Sequence, residues 1–99
     1  MRKIVVLDTA RKDLAWFRRY YKSVFPEGKL NASAYFEKIV FLVAERPFAG
    51  EVIENVGLRR FPIPKTPFIL IYRIATDNDL ELVRVLDGRQ QPQEGFHED

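Results

Sequence analysis

The sequence contains no cysteine and only one histidine, His97, among its 99 residues. Without cysteine the chain can form neither disulfide bonds nor a thiolate nucleophile, and one histidine alone cannot build a zinc site. A glycine-rich phosphate loop and a Ser-His-Asp order are also missing. His97 lies in an acidic tail, where a surface role is favoured over acid–base catalysis. We therefore expect no metal and no cofactor, and the sequence identifies no catalytic residue.

Long apolar runs are absent as well, and none approaches the roughly 20 residues that a membrane-spanning helix needs. The apolar residues from Ile4 to Leu7 are too few for the core of a signal peptide. We therefore expect a soluble, cytoplasmic protein. A chain of 99 residues, 46% of them hydrophobic, suffices for one domain with one core, whereas a second core would be hard to fit.

Acidic side chains are clearly outnumbered by basic ones outside the C-terminal tail. The chain carries 16 basic and 14 acidic side chains, a net charge of +2, and three of the acidic ones are Glu94, Glu98 and Asp99. Residues 1–93 therefore carry 16 basic and 11 acidic groups, a net charge of +5. This charge favours an acidic partner, either nucleic acid or an acidic protein segment, although an ordinary solubilising surface can have the same sign.

The first quarter of the chain predicts a strand and a helix. Residues 3–7 form a short, apolar and β-branched stretch that indicates a strand, and the polar pair Asp8 and Thr9 suits a helix cap. Apolar residues then recur three or four positions apart, as in an amphipathic helix: Leu14, Phe17, Tyr21 and Val24. Pro26 is expected to end this helix, and Trp16 is expected in the core.

A second helix is expected from near Asn31, whose side chain can cap a helix, to the proline at position 47, which cannot donate a helix hydrogen bond. Its apolar residues form a broad face: Tyr35, Phe36, Ile39, Leu42 and Val43. Two antiparallel helices joined by a short turn make a helical hairpin, and each helix needs a cover for its apolar stripe.

The second half of the chain predicts that cover as three strands. Residues 58–61, 68–75 and 80–86 are rich in branched and aromatic side chains, and the polar run 76–79 supplies a tight turn between the last two. The segment from Pro62 to Pro67 is expected to be a loop or a sheet edge, because proline cannot donate to a central ladder. Residues 91–99 are expected to form a flexible tail.

These elements predict an α+β fold in the order β-α-α-β-β-β. A helical hairpin would pack on one face of a mainly antiparallel, four-stranded sheet, whose strand order the sequence leaves open. The other face of such a sheet can remain available to a ligand. We therefore expect any site on the open face of the sheet or at its rim.

Polar exceptions on the apolar strands are the candidate binding residues. Guanidinium groups held on a rigid sheet can bind phosphate or carboxylate through two parallel hydrogen bonds. Alternatively, such arginines pair with nearby carboxylates such as Glu81 only to stabilise the sheet. The exceptions are Arg59, Arg60, Tyr72, Arg73, Arg84 and Asp87. The residues alone thus indicate a small basic α+β binding domain.

Two parts of the sequence carry a family resemblance. Residues 68–74, a short turn and residues 81–90, which read ELVRVLDGRQ, are one part. The ERPFAG stretch at 45–50, followed by Gly-Leu-Arg-Arg at 57–60, is the other. In their order and spacing they resemble the RelE/ParE superfamily of toxins from bacterial type II toxin–antitoxin systems. The resemblance extends from the first strand to about Pro92 and covers most of the chain.

The resemblance implies a toxin that is neutralised by an antitoxin, an acidic and partly disordered protein that wraps the toxin and forms a hetero-oligomer with it. RelE-like members cut messenger RNA in the ribosome. ParE-like members instead inhibit DNA gyrase. Cleavage of RNA without a metal needs a base or orienting group and cations that offset the charge on the phosphate.

The sequence matches only part of the RNA-cleaving pattern. Arg60 and Arg89 stand at two of its basic positions. However, Pro62 occupies a position where lysine is expected, Ile69 one where arginine is expected, and Asp87 the position of a common histidine. No tyrosine follows Arg89 to match the C-terminal tyrosine of RelE-like members. These departures disfavour cleavage, because each missing group is worth orders of magnitude in rate.

We therefore interpret residues 1–99 as a single RelE/ParE-like toxin domain of the ParE-like branch that inhibits growth by poisoning DNA gyrase. One alternative is a metal-independent, ribosome-dependent messenger RNA endoribonuclease. Another is a degenerate toxin that acts only as an antitoxin-binding module. The expected target-binding residues are Arg59, Arg60, Tyr72, Arg73, Arg84, Asp87 and Arg89.

Overall fold

The structure is a computed structural model that describes residues 3–24 and 26–88, without the side chains of 20–24 and 26–33. The predicted tail at 91–99 and the candidate residue Arg89 lie outside the described residues. The elements are β1 (Ile4–Val6), α1 (Asp8–Val24), α2 (Pro26–Glu45), a 3-10 helix (Pro47–Ala49), β2 (Glu51–Ile53), β3 (Leu58–Pro62), β4 (Phe68–Ile74) and β5 (Leu80–Asp87). The α+β class and the two helices are as predicted.

The sheet has five strands in the order β1-β5-β4-β3-β2, so the prediction of four strands was one short. The missed strand is β2, which pairs antiparallel with β3. Its three residues begin with a glutamate and carry no recognisable alternation, so the sequence did not indicate a strand there. Asn55 and Gly57 adopt left-handed backbone conformations (φ 69 for both) and turn the chain from β2 into β3.

The first strand closes the sheet at its other end. β1 pairs parallel with β5, whereas the remaining neighbours are antiparallel. Both helices lie between these two parallel strands in the sequence, which is the kind of long connection that parallel pairing requires. The sheet is therefore mainly antiparallel, as predicted, with a parallel pair at one edge.

The core lies between the helices and one face of the sheet. Phe17 of α1 packs on Phe68 of β4, with ring centroids 4.3 Å apart. Further buried residues come from α2 and from the central strands: Ile39, Val40, Val43, Leu70, Tyr72, Leu80, Leu82 and Val85. Full burial of one such side chain contributes about 1.5–3 kcal/mol. Trp16 was wrongly expected in this core. It is 40% exposed, and its ring meets Phe68 at 6.0 Å.

Two local predictions can be compared directly with the backbone. The turn at 76–79 is confirmed, because Asn78 has φ 73 and its amide donates to the carbonyl of Ala75 at 2.8 Å. The start of the second helix near Asn31 was wrong, since α2 begins at Pro26. Proline is well tolerated in the first turn of a helix, where its missing N–H would have no partner in any case.

The segment from Pro62 to Pro67 combines the two alternatives that the sequence left open. Pro62 is the last residue of β3 and pairs with Ile69. A turn follows, in which Lys65 has φ 63 and the amide of Ile63 donates to the carbonyl of Phe68 at 2.9 Å. Within the described residues, no helix has the length and apolar character needed to cross a membrane.

Candidate target-binding face

Strand register sorts the candidate residues onto two faces of the sheet. Arg59 pairs with Tyr72, and Tyr72 with Leu82, so these residues share the helix-covered face. Arg60 and Ile71 also pair with each other, and each is next in sequence to a residue of the first pair. Arg60 and Ile71 therefore lie on the opposite face of the sheet. Arg73 alternates with Tyr72 and therefore also lies on this second side. The side that the helices do not cover is called the open face below.

Two arginines on the open face form exposed ion pairs across neighbouring strands. Arg60 donates through Nε to Glu51 Oε1 at 2.8 Å, and Arg73 donates through Nε to Glu81 Oε1. The side chains of Arg60 and Arg73 remain 43% and 48% exposed. Exposed pairs of this kind contribute only about 0–1 kcal/mol, because water screens both charges. A carboxylate or phosphate of a binding partner can therefore replace the glutamates at small cost.

The apolar centre of the open face is Ile71, which is fully buried although neither of the two described helices covers that side. Its neighbours in register are Arg60 on β3 and Arg84 on β5. Long arginine stems can cover an apolar side chain while their charged ends stay in water. A partner that binds this face would thus meet cationic ends above an apolar centre.

Arg84 is held by a carboxylate of α1. Its Nε and Nη2 donate to the two oxygens of Asp13 at 2.7 and 3.2 Å. This hydrogen bond to Asp13 raises the pKa of Arg84 above its ordinary value, although partial burial acts in the opposite direction. The Arg84 side chain is 38% exposed and that of Asp13 is 17% exposed. Arg84 is therefore more firmly fixed than Arg60 or Arg73.

The position of Asp13 follows from where β1 ends. The pairing of β1 with β5 stops at Leu82, so the rest of that edge of β5 needs other partners. The first turns of α1 supply them, because Thr9 donates to the carbonyl of Val83 at 2.6 Å and Asp13 accepts from the amide of Val85 at 2.8 Å. Positions four apart lie on one face of a helix, so both side chains reach the same strand edge.

A cavity of about 220 Å³ opens beside the Arg84–Asp13 pair. Asp87, the next candidate residue along β5, lines the same cavity, as does the half-exposed ring of Trp16. Sequence reasoning missed Asp13 and Trp16 as parts of this site. Asp13 and Trp16 are three residues apart on an amphipathic helix, which places both on one helix face. This spacing could have indicated that they belong to the same site.

Arg59 and Tyr72 lie at the junction of α2 and β2 and have structural contacts. The Tyr72 hydroxyl donates to the carbonyl of Pro47 and accepts from the amide of Gly50, both at 2.8 Å. Burial raises the pKa of this hydroxyl, although the hydrogen bond from Gly50 and the charge of Arg59 lower it. Arg59 Nη1 donates to the carbonyl of Gly50 at 2.8 Å, and its guanidinium lies 5.0 Å from the centroid of the Phe48 ring.

The buried position of Tyr72 corrects the sequence-based expectation. Its side chain is 0% exposed, so it does not present a surface to a target. Through its two hydrogen bonds, the Tyr72 hydroxyl instead joins the 3-10 helix and the start of β2 to the central strand β4. Arg59 is half-buried against the same junction and contributes mainly to its geometry.

The comparisons with known proteins identify the family. Residues 4–92 match the family described as the ParE toxin of the type II toxin–antitoxin system, parDE. The chain belongs to the ParE toxin family. Among solved structures, it resembles one entitled a chromosomal ParDE toxin–antitoxin system from P. aeruginosa, with a TM-score of 0.67 and 23% identity over 86% of this chain and 94% of that chain. No curated protein sequence matches the chain significantly.

Within this ParE-family fold, the candidate residues do not form one cluster. Arg60 and Arg73 lie on the open face, Arg84 and Asp87 line the cavity beside Asp13, and Arg59 and Tyr72 belong to the buried junction. Ile71 joins the first two groups, since it is the register neighbour of both Arg60 and Arg84. The surface formed by Arg60, Ile71, Arg73 and Arg84 is named the arginine face below.

Proposed function

We propose that this ParE-family toxin arrests bacterial growth by binding DNA gyrase and inhibiting its supercoiling activity. The observation that carries the proposal is the family match, which spans residues 4–92 and includes every strand of the sheet. The arginine face supports it, because inhibition by binding asks for a shaped cationic surface rather than a complete set of catalytic groups. We propose that the toxin acts in the cytoplasm, where that target is found.

The arrangement of β3 and β4 favours binding over RNA cleavage. Pro62 and Ile69 occupy positions where the RNA-cleaving branch would have lysine and arginine, and they are cross-strand neighbours. This part of the open face is therefore apolar at the place where a phosphate would need cations. At the same end of β4, Asp87 pairs with Phe68 and contributes a carboxylate that would repel RNA phosphate. The departures seen in the sequence thus fall on one continuous region of the sheet.

We also propose that a cognate antitoxin neutralises the toxin in a hetero-oligomer. The similar solved structure is entitled a ParDE toxin–antitoxin system, which supports a two-protein arrangement for this chain. The basic body of the chain, with a net charge of +5 over residues 1–93, suits an acidic partner. A short reading frame beside the gene, encoding a DNA-binding head and an acidic amphipathic tail, is the expected source of that partner.

A gyrase assay tests the proposed target. The purified chain should block supercoiling of relaxed plasmid in a dose-dependent way and should stabilise cleaved DNA complexes. Growth arrest in cells with unaffected gyrase would reject the target. In the same cells, codon-linked cuts in messenger RNA on translating ribosomes would favour the endoribonuclease alternative. An absence of growth arrest would favour the degenerate toxin that only binds an antitoxin.

A further inference from the structure

Trp16 is a large apolar side chain that remains on the surface and lines a cavity. Its side chain is 40% exposed. The cavity, of about 220 Å³, lies between Asp13 and Trp16 of α1 and residues 84–87 of β5, with Phe68 as the remaining lining residue. This surface is called the Trp16 pocket. Among the exposed large apolar side chains of the described residues, only Trp16 lines this cavity.

The Trp16 ring is supported by the core. It meets the ring of Phe68 edge to face, with centroids 6.0 Å apart and an interplanar angle of 71°. Phe68 is only 2% exposed and packs in turn on Phe17 at 4.3 Å. A ring fixed in this way loses little conformational freedom when a partner covers it. Tryptophan is also among the residues that most often dominate the energy of an interface. Trp16 therefore has the features of an interface anchor.

Arg84 connects the Trp16 pocket to the arginine face, because it belongs to both surfaces. Asp13 accepts hydrogen bonds from Nε and Nη2 of Arg84 and so fixes the direction of the guanidinium. These contacts use two of the five N–H donors of the group, which leaves three for a partner. The Arg84 side chain is 38% exposed, so a partner can reach those donors. A protein that binds the arginine face therefore meets the Trp16 pocket directly beside it.

We propose that the Trp16 pocket is the apolar anchor of the target-binding surface and receives one apolar side chain of gyrase. This side chain contacts Trp16 and Leu86, and a backbone carbonyl beside it accepts a hydrogen bond from Arg84. Acidic groups of the same target surface meet Arg60 and Arg73 on the arginine face. The proposal deepens the proposed inhibition of gyrase, and it rests on that proposed function only for the identity of the target.

Charge selects this occupant over others. The carboxylates of Asp13 and Asp87 line the Trp16 pocket together with one guanidinium, so two negative charges face one positive charge. These carboxylates would repel a nucleic-acid phosphate, and they would equally repel an acidic antitoxin segment. A second copy of the chain would bring two basic bodies together, each with a net charge of +5 over residues 1–93. An apolar side chain in a neutral or basic segment of the target avoids all three penalties.

Hydroxyl-radical footprinting of the wild-type chain tests the proposal without any substitution. The chain is oxidised alone and in complex with gyrase and plasmid DNA, and mass spectrometry measures the oxidation of each side chain. Trp16 is the only tryptophan of the chain, so its oxidation is read without ambiguity. Its oxidation should fall at least about fivefold in the complex, because an interface anchor is fully desolvated. Phe41 is 55% exposed on α2, away from the pocket, and its oxidation should change by less than about twofold.

Trp16→Ala measures how much the anchor contributes. In a supercoiling titration this variant should need at least about 10-fold more protein than the wild type, because truncation of an interface anchor weakens binding by such a factor. Phe41→Ala is the matched control, since it removes an exposed aromatic ring outside the pocket, and it should inhibit within about twofold of the wild type. Concentrations are compared as folded protein, measured by circular dichroism, because Trp16 also contacts Phe68. If Trp16→Ala does not fold, the footprint of the wild type decides.

Several results would overturn the proposal and leave gyrase standing as the target. One is unchanged oxidation of Trp16 in a complex that inhibits gyrase, and another is equal inhibition by the wild type and folded Trp16→Ala. Protection of Trp16 by a DNA duplex alone would assign the pocket to nucleic acid. Protection that rises with the concentration of the chain alone would assign it to a second copy.

Growth arrest separates the pocket from the identity of the target. If the wild type arrests growth while gyrase is unaffected, the proposed target fails but the Trp16 pocket can still be decided. Loss of arrest in folded Trp16→Ala, with arrest retained in Phe41→Ala, would support the pocket as an anchor for another target protein. Arrest by both variants at equal folded levels would overturn it, and an absence of arrest by the wild type would reject the pocket and the target together.

Discussion

Replacing Tyr72 with phenylalanine distinguishes the structural role of this residue from the target-binding role that the sequence suggested. The substitution removes one oxygen from a fully buried side chain and leaves the carbonyl of Pro47 and the amide of Gly50 without their 2.8 Å partner. A buried polar group that loses its hydrogen bond costs about 1–3 kcal/mol. With two such groups, Tyr72→Phe should lower the free energy of unfolding by about 2–6 kcal/mol, a large part of a typical domain stability of about 5–15 kcal/mol.

The assay is urea unfolding followed by circular dichroism, with Tyr35→Phe as the matched control. The Tyr35 ring contacts Lys65, with the ammonium 5.7 Å from its centroid, and its hydroxyl has no hydrogen bond among the described residues. The control should therefore change stability by less than about 0.5 kcal/mol. Below its melting temperature, Tyr72→Phe should retain target inhibition per folded molecule. A variant with unchanged stability and no inhibition would refute this reasoning and restore Tyr72 to the binding surface.

Three further predictions follow from the same contacts. Asp13→Ala should lower the free energy of unfolding by about 1–3 kcal/mol, since the Val85 amide and the half-exposed Arg84 lose their partner; unchanged urea unfolding would contradict it. Gly50→Ala should destabilise by about 2 kcal/mol or more, because the added Cβ would collide with the Tyr72 hydroxyl, and a wild-type melting temperature would contradict it. In the unfolded chain tyrosine ionises near pH 10, whereas burial raises the pKa of Tyr72 in the folded protein. The stability that the buried Tyr72 hydroxyl contributes is therefore complete below pH 10 and is lost as pH rises further. The stability gap between the wild type and Tyr72→Phe should therefore narrow as pH rises above about 10, and a gap that widens would contradict the burial argument.

Much of the fold could be predicted because local patterns and tertiary packing agree. The amphipathic spacing around Phe17 and the branched and aromatic side chains of β4 and β5 each indicated the observed element, and the core contains apolar residues from all three elements. β2 could not be predicted, since its three residues gain strand geometry only by pairing with β3. The helix start at Pro26 was missed because the asparagine at position 31 offered an equally good cap. Parallel pairing of β1 depends on the whole fold and has no local signal.

The candidate site was less predictable, because residue type does not reveal a residue's partners. The sequence identified Arg60, Arg73 and Arg84 and also named the alternative that they pair with carboxylates. Each does have an acidic partner, and one of them, Asp13, lies on α1 at a separation of 71 residues that no sequence pattern could predict. Tyr72 showed the same difficulty, since a conspicuous polar residue on an apolar strand can serve burial as well as binding.

The central claim is that the arginine face of this ParE-family toxin binds gyrase, and one supercoiling titration tests it directly. The wild type should inhibit, whereas R60Q/R73Q should need at least about 10-fold more protein, since it loses two cations from exposed pairs that contribute little to stability. The control K12Q/K38Q removes the same charge from exposed positions elsewhere and should inhibit within about twofold of the wild type. Equal inhibition by all three folded proteins, or none by the wild type, would contradict the claim.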